Sequence, residues 1–165
     1  MSIITNGNIG PVYQPDYFEA SRVLAADSAL TITETAEPTF SFNVGKNERV
    51  VYRFTLFYDQ DNAGDDLQYT IKSTNAAGDP VVPAFYSEHL NAIVPGGTAF
   101  LAVTTTPNIE DTLTTAGTGQ GMAVIQGVIL GNASSASTVN LLLAKEANNG
   151  ATTVQEGSFL ELRRF

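Results

Sequence analysis

The sequence predicts an all-β fold: a single β-sandwich, jelly-roll-like, of about eight to nine strands behind an extended N-terminal arm. Three observations point there. Apolar and polar residues alternate with period two over long stretches, the mark of strands with one buried face. The polar residues are largely Thr, Ser, Asn, Gly and Gln, which suit strand surfaces and turns better than helix exteriors. Short strand candidates are separated by Gly, Pro, Asn and Ser turns, without an amphipathic helix between them, which favours a sandwich over βαβ units.

Size and composition agree with one folded domain. A chain of 165 residues with 43% hydrophobic and 15% charged residues is too apolar for disorder and long enough for one complete core. Its formal net charge of −9 comes from 17 acids against 8 bases, with no basic run. Neutralising phosphates requires clustered cations, so nucleic-acid binding is not expected. The chain has no cysteine, which removes disulfides, Cys-ligated zinc and a thiol nucleophile. The N-terminus lacks a basic region followed by an apolar stretch, so no secretory signal is expected. No apolar run approaches the roughly 18 residues of a membrane span, so neither is a membrane partner.

Residues 1–26 read as the arm, with Gly7, Gly10, Pro11 and Pro15 ahead of a short piece that permits one helical turn. Residues 27–165 form the sandwich domain. Its first strand is expected at residues 30–35, followed by Phe40, Phe42 and Val44 alternating with Thr39, Ser41 and Asn43. The strongest signal follows: Val50, Tyr52, Phe54, Leu56 and Tyr58 on one face of a long strand, Val51, Arg53, Thr55 and Phe57 on the other. After a turn at Asp61, Asn62, Ala63 and Gly64, alternation resumes with Leu67, Tyr69 and Ile71, and these two segments are expected to pair as a hairpin. Further strands are expected at residues 81–86, 98–106, 122–130, 138–144 and 158–164. Residues 107–120 and 131–137 read as linkers. The aromatics Phe40, Phe42, Tyr52, Phe54 and Tyr69 are expected in the core.

Each candidate for chemistry fails a specific requirement. His89, the one histidine, stands in Tyr86-Ser87-Glu88-His89-Leu90. A Ser-His-acid site draws its members from separated positions and adds an oxyanion hole, so His89 is expected to be a loop residue and no catalytic residue is assigned. The run from Asp59 through Asp61, Gly64, Asp65 and Asp66 invites a calcium reading. Against an EF-hand loop, however, Ala63 occupies the fifth position and Thr70 the twelfth, so an acidic turn is expected and no metal or cofactor is assigned. Glu34 with Glu37, or Glu146 with Glu156, could serve glycoside hydrolysis only across a sugar cleft, and no pattern places them there. Gly117-Thr118-Gly119-Gln120-Gly121 lacks the Lys-Ser/Thr ending of a phosphate loop and reads as a flexible loop. The chain is therefore not expected to be an enzyme.

Two segments carry a resemblance. Phe40-Ser41-Phe42-Asn43-Val44, the long strand, the acidic turn and Leu67-Gln68-Tyr69-Thr70-Ile71 resemble a family of structural proteins of tailed-bacteriophage virions. More specific is the C-terminal part from Leu141-Leu142-Leu143-Ala144 to Gly157-Ser158-Phe159-Leu160 and Arg163-Arg164-Phe165, similar to that family's closing strand, with its Gly-Ser-aromatic start and basic, aromatic finish. The family's tryptophan near Leu143 and its Pro-Ala-Gly turn are absent here. The resemblance covers roughly half of the chain and implies a decoration (cement) protein on the capsid exterior. It also implies self-association, commonly as a homotrimer, and the major capsid protein as partner. A head- or tail-fibre module that binds host-surface glycans is the alternative. Within the arm, Val12, Tyr13, Tyr17 and Phe18 are the candidate partner-binding residues, since aromatic anchors tend to dominate interface energy.

Overall fold

A computed structural model describes residues 20–62, 66–75, 84–91, 101–104, 109–113 and 118–165. Twelve strands and no helix occur among them, and no helix is long and apolar enough to cross a membrane. The strands are β1 (Ala20–Val23), β2 (Ser28–Ala29), β3 (Thr35–Val44), β4 (Arg49–Gln60), β5 (Leu67–Asn75) and β6 (Ala84–Asn91). They continue as β7 (Leu101–Thr104), β8 (Ile109–Leu113), β9 (Gly119–Leu130), β10 (Ser137–Lys145), β11 (Thr152–Val154) and β12 (Phe159–Arg164).

Two antiparallel sheets result. The small sheet runs β3-β10-β5-β8; the large one runs β1-β12-β4-β9-β6-β7, with β11 beside the far end of β4 and β2 beside β11. From β3 to β10, eight strands fall into four antiparallel pairs, β3 with β10, β4 with β9, β5 with β8 and β6 with β7, divided between the two sheets. That nested pairing is a jelly roll, here enlarged by four short strands along the free edge of β4.

Alternation places the core as the sequence predicts. Val50, Tyr52, Phe54, Leu56 and Tyr58 of β4 are buried, as are Phe40, Phe42 and Val44 of β3 and Leu67, Tyr69 and Ile71 of β5. Aromatic rings bridge the sheets. Phe40 meets Phe54 edge to face at 6.1 Å, and Phe42 lies 6.0 Å from Tyr52 and 6.3 Å from Phe54. Such ring pairs add about 0.5–1.5 kcal/mol each beyond their burial.

Five expectations need correction. β4 and β5 do not form a hairpin: β4 pairs with β9, β11 and β12, and β5 with β10 and β8. Both strands bury their apolar faces, and in a sandwich the connection can cross between layers so that those faces meet. Residues 30–34, within the strand expected at 30–35, are not a strand. The hydroxyl of Thr31 bonds both the carbonyl and the N–H of Thr33, a local turn that competes with a ladder, and Ile32 is left exposed. β3 instead starts at Thr35 and carries Pro38, tolerated because β3 is a sheet edge and its register against β10 breaks between Ser41 and Ala36. Within the arm segment, Ala20–Val23 is a strand paired with β12, and Leu24 joins the core. Residues 107–120 contain β8, paired with β5, and Gly119 to Gly121 open β9, so neither stretch is simply a linker or loop. His89 lies in β6, opposite Ala102 and Ile125.

Gly121 has a structural reason that its glycine-rich context obscured. It lies directly opposite Tyr58, and a Cβ there would enter the tyrosine ring, 2.8 Å from Cε2 and closer still to Cζ and Oη. Gly127 pairs in the same way with Tyr52. Two large rings on β4 thus face two glycines six residues apart on β9.

Candidate interaction surface

The two outer faces of the sandwich differ in chemistry. On the small sheet the outward residues are polar and bond one another across strands. The Ser41 hydroxyl donates to Asn140 Oδ1 at 2.7 Å, and the Thr138 hydroxyl donates to Asn43 Oδ1 at 3.0 Å. Glu34 lies over this face, accepting from Lys72 Nζ at 2.7 Å and from the Thr70 hydroxyl. Partial burial pushes its pKa up, but these bonds and the Lys72 charge outweigh it and hold the carboxyl below its ordinary value.

On the large sheet the outward residues of β4 and β9 are mixed: Val51, Phe57, Met122, Val124, Val128 and Leu130 are apolar, while Arg49, Arg53, Asp59, Gln120 and Gln126 are charged or polar and Thr55 is buried. Thr55 stands opposite Val124, Val51 opposite Val128 and Phe57 opposite Met122. The Phe159 ring of β12 packs 6.4 Å from that of Phe57, and Val23 of β1, exposed by 58%, stands opposite Phe159. One polar row crosses the face: Glu161, Arg53 and Gln126 lie side by side on β12, β4 and β9. Arg53 Nε donates to Gln126 Oε1 at 3.2 Å, and its guanidinium stands 3.7 Å from the Glu161 carboxylate. The apolar residues of this face are half-buried, and Val23 and Leu130 at its margins are exposed large hydrophobics.

The Gly-Ser-aromatic segment fixes the edge of this face. Between β11 and β12 the ladder with β4 is interrupted, and Ser158, fully buried, repairs it. Its hydroxyl accepts from the Phe57 N–H at 2.9 Å and donates to the Gln155 carbonyl at 2.8 Å. Gly157 supplies the positive φ of 88° that this bulge requires, and its N–H bonds to the Leu24 carbonyl at 3.0 Å. Leu24 N–H returns the bond to the Ser158 carbonyl at 2.7 Å. The incoming chain is thereby stitched to the C-terminal strand, and Phe159 is set beside Phe57.

At one end of the sandwich, Glu48 clamps the β3–β4 turn to β12. It accepts from the Gly45 N–H at 2.6 Å and from Arg164 at 2.9 and 3.0 Å. Partial burial raises the pKa of Glu48, and the Gly45 and Arg164 bonds, with the Arg164 charge, bring it below the ordinary value. At the other end, Tyr58 is buried, and its hydroxyl meets no hydrogen-bond partner among the described residues. Burial, with the Asp66 carboxylate nearby, pushes that hydroxyl up to about 12.

Of the residues singled out from sequence, Val12, Tyr13, Tyr17 and Phe18 lie outside the described residues; the described chain begins at Ala20, on the edge of the large-sheet face. The acidic turn is described at both flanks, though not at residues 63–65. Gln60 Nε2 donates to the Asn62 carbonyl at 3.1 Å, and Asp66 is buried. Glu37 accepts from the Thr39 N–H of its own strand, while Glu34 is committed to Lys72 and Thr70. The large-sheet face itself was not foreseen as a site. The signal on β4 was limited to Val51 and Phe57, which alternate there with Arg49, Arg53 and Asp59.

The fold and its surfaces define a jelly-roll sandwich with one polar outer face and one on which apolar residues flank a charged row. No family model and no curated protein matches the chain. Similar solved structures include that of infectious bursal disease virus Gx strain, 17% identical with a TM-score of 0.28, over 92% of this chain and 43% of that one. Another is the infectious bursal disease virus VP2 subviral particle, 14% identical with a TM-score of 0.26, over 94% of this chain and 43% of that one. The chain spans less than half the length of the viral chains it matches.

Proposed function

We propose that this chain is a structural module of a virion, a decoration or cement protein that binds the capsid exterior and holds neighbouring capsid subunits together, with no catalytic role. The observation that carries the reading is the outer face of the large sheet, where half-buried apolar residues flank the Glu161, Arg53 and Gln126 row and the N-terminal segment enters at the edge. Such a surface is suited to docking on another protein rather than to enclosing a small substrate. The resemblance of the segments around the long strand and the Gly157-Ser158-Phe159 closure to phage structural proteins supports the same reading, as does a jelly roll, an architecture that occurs in capsid domains. Fold alone does not name a function, so the surface carries the weight. The partner is the major capsid protein, reached by the sheet face, by the anchors Val12, Tyr13, Tyr17 and Phe18, or by both.

Quantitative mass spectrometry of purified virions tests this. A copy number in the hundreds, with loss of capsid binding when residues 1–19 are removed from an otherwise folded protein, is the expected result. Absence from the particle would overturn the proposal. A copy number matching a single vertex would point to the fibre module instead.

A further inference from the structure

We infer that one end of the large sheet's outer face, built from Leu130, Arg49, Phe165 and Arg163, is a docking centre, and that its occupant is a protein surface carrying carboxylates beside apolar side chains. The inference rests on the reading of this face as a docking surface and adds the chemistry of the partner.

Two cross-strand rows make this patch. Arg49 of β4 stands opposite Leu130 of β9. On its other side the Arg49 N–H donates to the Phe165 carbonyl at 3.4 Å, and the Phe165 N–H donates to the Arg49 carbonyl at 2.9 Å. Residues that exchange both bonds lie directly opposite each other, with their side chains on one face. Leu130, Arg49 and Phe165 are therefore one outward row, and Val128, Val51 and Arg163 are the next. Leu130 is exposed by 45% and Phe165 by 62%, two of the four exposed large hydrophobics among the described residues. Arg163 lies over the Phe165 ring, 4.8 Å from its centroid, and this cation–π contact holds both side chains in place.

The charge of the patch opposes that of the chain. The whole chain carries −9 and has only 8 bases. Lys46, Arg49, Arg163 and Arg164 nevertheless gather at this end, in the β3–β4 turn and on the adjoining ends of β4 and β12. Arg164 is committed to Glu48. Lys46, Arg49 and Arg163 form no salt bridge among the described residues. Cations outnumber acids here even when a terminal carboxylate on Phe165 is counted, and an anionic partner relieves their mutual repulsion. Guanidinium groups grip carboxylates through paired hydrogen bonds, and arginine and aromatic side chains are among those that dominate interface energy. The footprint favours a protein over a nucleic acid. Three strands about 4.8 Å apart span about 10 Å and two rows lie about 7 Å apart, room for a few side chains of a partner. A nucleic acid needs cations along its whole track, but the next row brings in Glu161 and the rest of the chain is acidic.

The experiment measures binding of the full chain to poly(Glu,Tyr), a random copolymer that offers carboxylates beside aromatic rings, with poly-glutamate and duplex DNA as comparisons. At about 0.15 M salt the Debye length is about 8 Å, so the acidic remainder of the chain is largely screened from the patch. Thermal melts confirm that every variant is folded. The wild type is expected to bind the copolymer about threefold or more tightly than poly-glutamate, and to leave DNA unbound. Arg49→Glu and Arg163→Glu should each weaken copolymer binding about tenfold or more. Phe165→Ser should remove the preference for the copolymer while keeping poly-glutamate binding within about twofold, and Lys72→Gln on the opposite sheet should change neither. A wild type that binds neither polymer, charge-reversed variants that bind as well as the wild type, or equal binding to DNA would overturn the inference. Self-association of the wild type in sedimentation velocity that Arg49→Glu abolishes would also overturn it, because the occupant would then be a second copy. Absence from purified virions would remove the virion reading and leave the copolymer result standing, so the two failures are distinct.

Discussion

Replacing Gly121 by alanine distinguishes a packing role from a flexibility role for the glycine-rich segment that opens β9, because the two predict opposite signs. Gly121 is not among the glycines with positive φ, so its backbone can accept alanine. Were the position merely a flexible loop, the substitution would restrict the unfolded chain and stabilise the protein by about 0.4–1 kcal/mol. The structure requires the reverse. The new methyl would enter the ring of Tyr58, which is buried at 1% exposure and has little room to withdraw. Overpacking of this kind costs about 1–3 kcal/mol, and about 2 kcal/mol in a chain of this size lowers Tm by about 4–8 °C. Urea unfolding of four proteins would measure it: wild type, Gly121→Ala, Tyr58→Leu and the double variant. Shortening Tyr58 is itself destabilising, but it should relieve the clash, so the cycle should show a coupling energy of about 1 kcal/mol or more. A neutral or stabilising Gly121→Ala, or an unchanged cost in the Tyr58→Leu background, would refute the packing argument.

Two other predictions test the edge of the large-sheet face and the end of the sandwich. Ser158→Ala removes the acceptor of the Phe57 N–H in a fully buried position and should cost about 1–3 kcal/mol in urea unfolding; an unchanged midpoint would show that the hydroxyl does not repair the ladder. Glu34 and Glu48 both titrate below their ordinary value of 4.5 in the folded chain, so their contribution is present above pH 4.5 and is lost as the pH falls through the lower folded value. Glu48→Gln should therefore flatten the acid limb of a stability–pH curve below pH 4.5, and identical acid limbs in the two proteins would contradict that assignment.

Which residues alternate is a local property, and it was legible. Val50 to Tyr58, Phe40 to Val44 and Leu67 to Ile71 announce buried faces because a strand turns each successive side chain to the opposite side. What those strands pair with is not local. Nothing near Tyr58 indicates that its neighbour is Gly121 rather than Leu67, since the choice depends on which sheet each strand enters and on where a large ring finds a residue without a side chain. The same holds for Ser158 and Gly157. Their sequence reads as a turn before a strand, but that the hydroxyl bonds Phe57 follows only once β11 and β12 have been laid along β4 with a break between them.

The sequence by itself determined the all-β class, the core aromatics and the absence of a familiar catalytic motif, because periodicity, burial tendency and motif spacing are all written along the chain. Only the tertiary structure decided the jelly-roll pairing and the unequal chemistry of the two outer faces. An outward residue such as Val124 or Phe57 becomes part of a surface only through its neighbours on other strands, and those neighbours are distant in sequence.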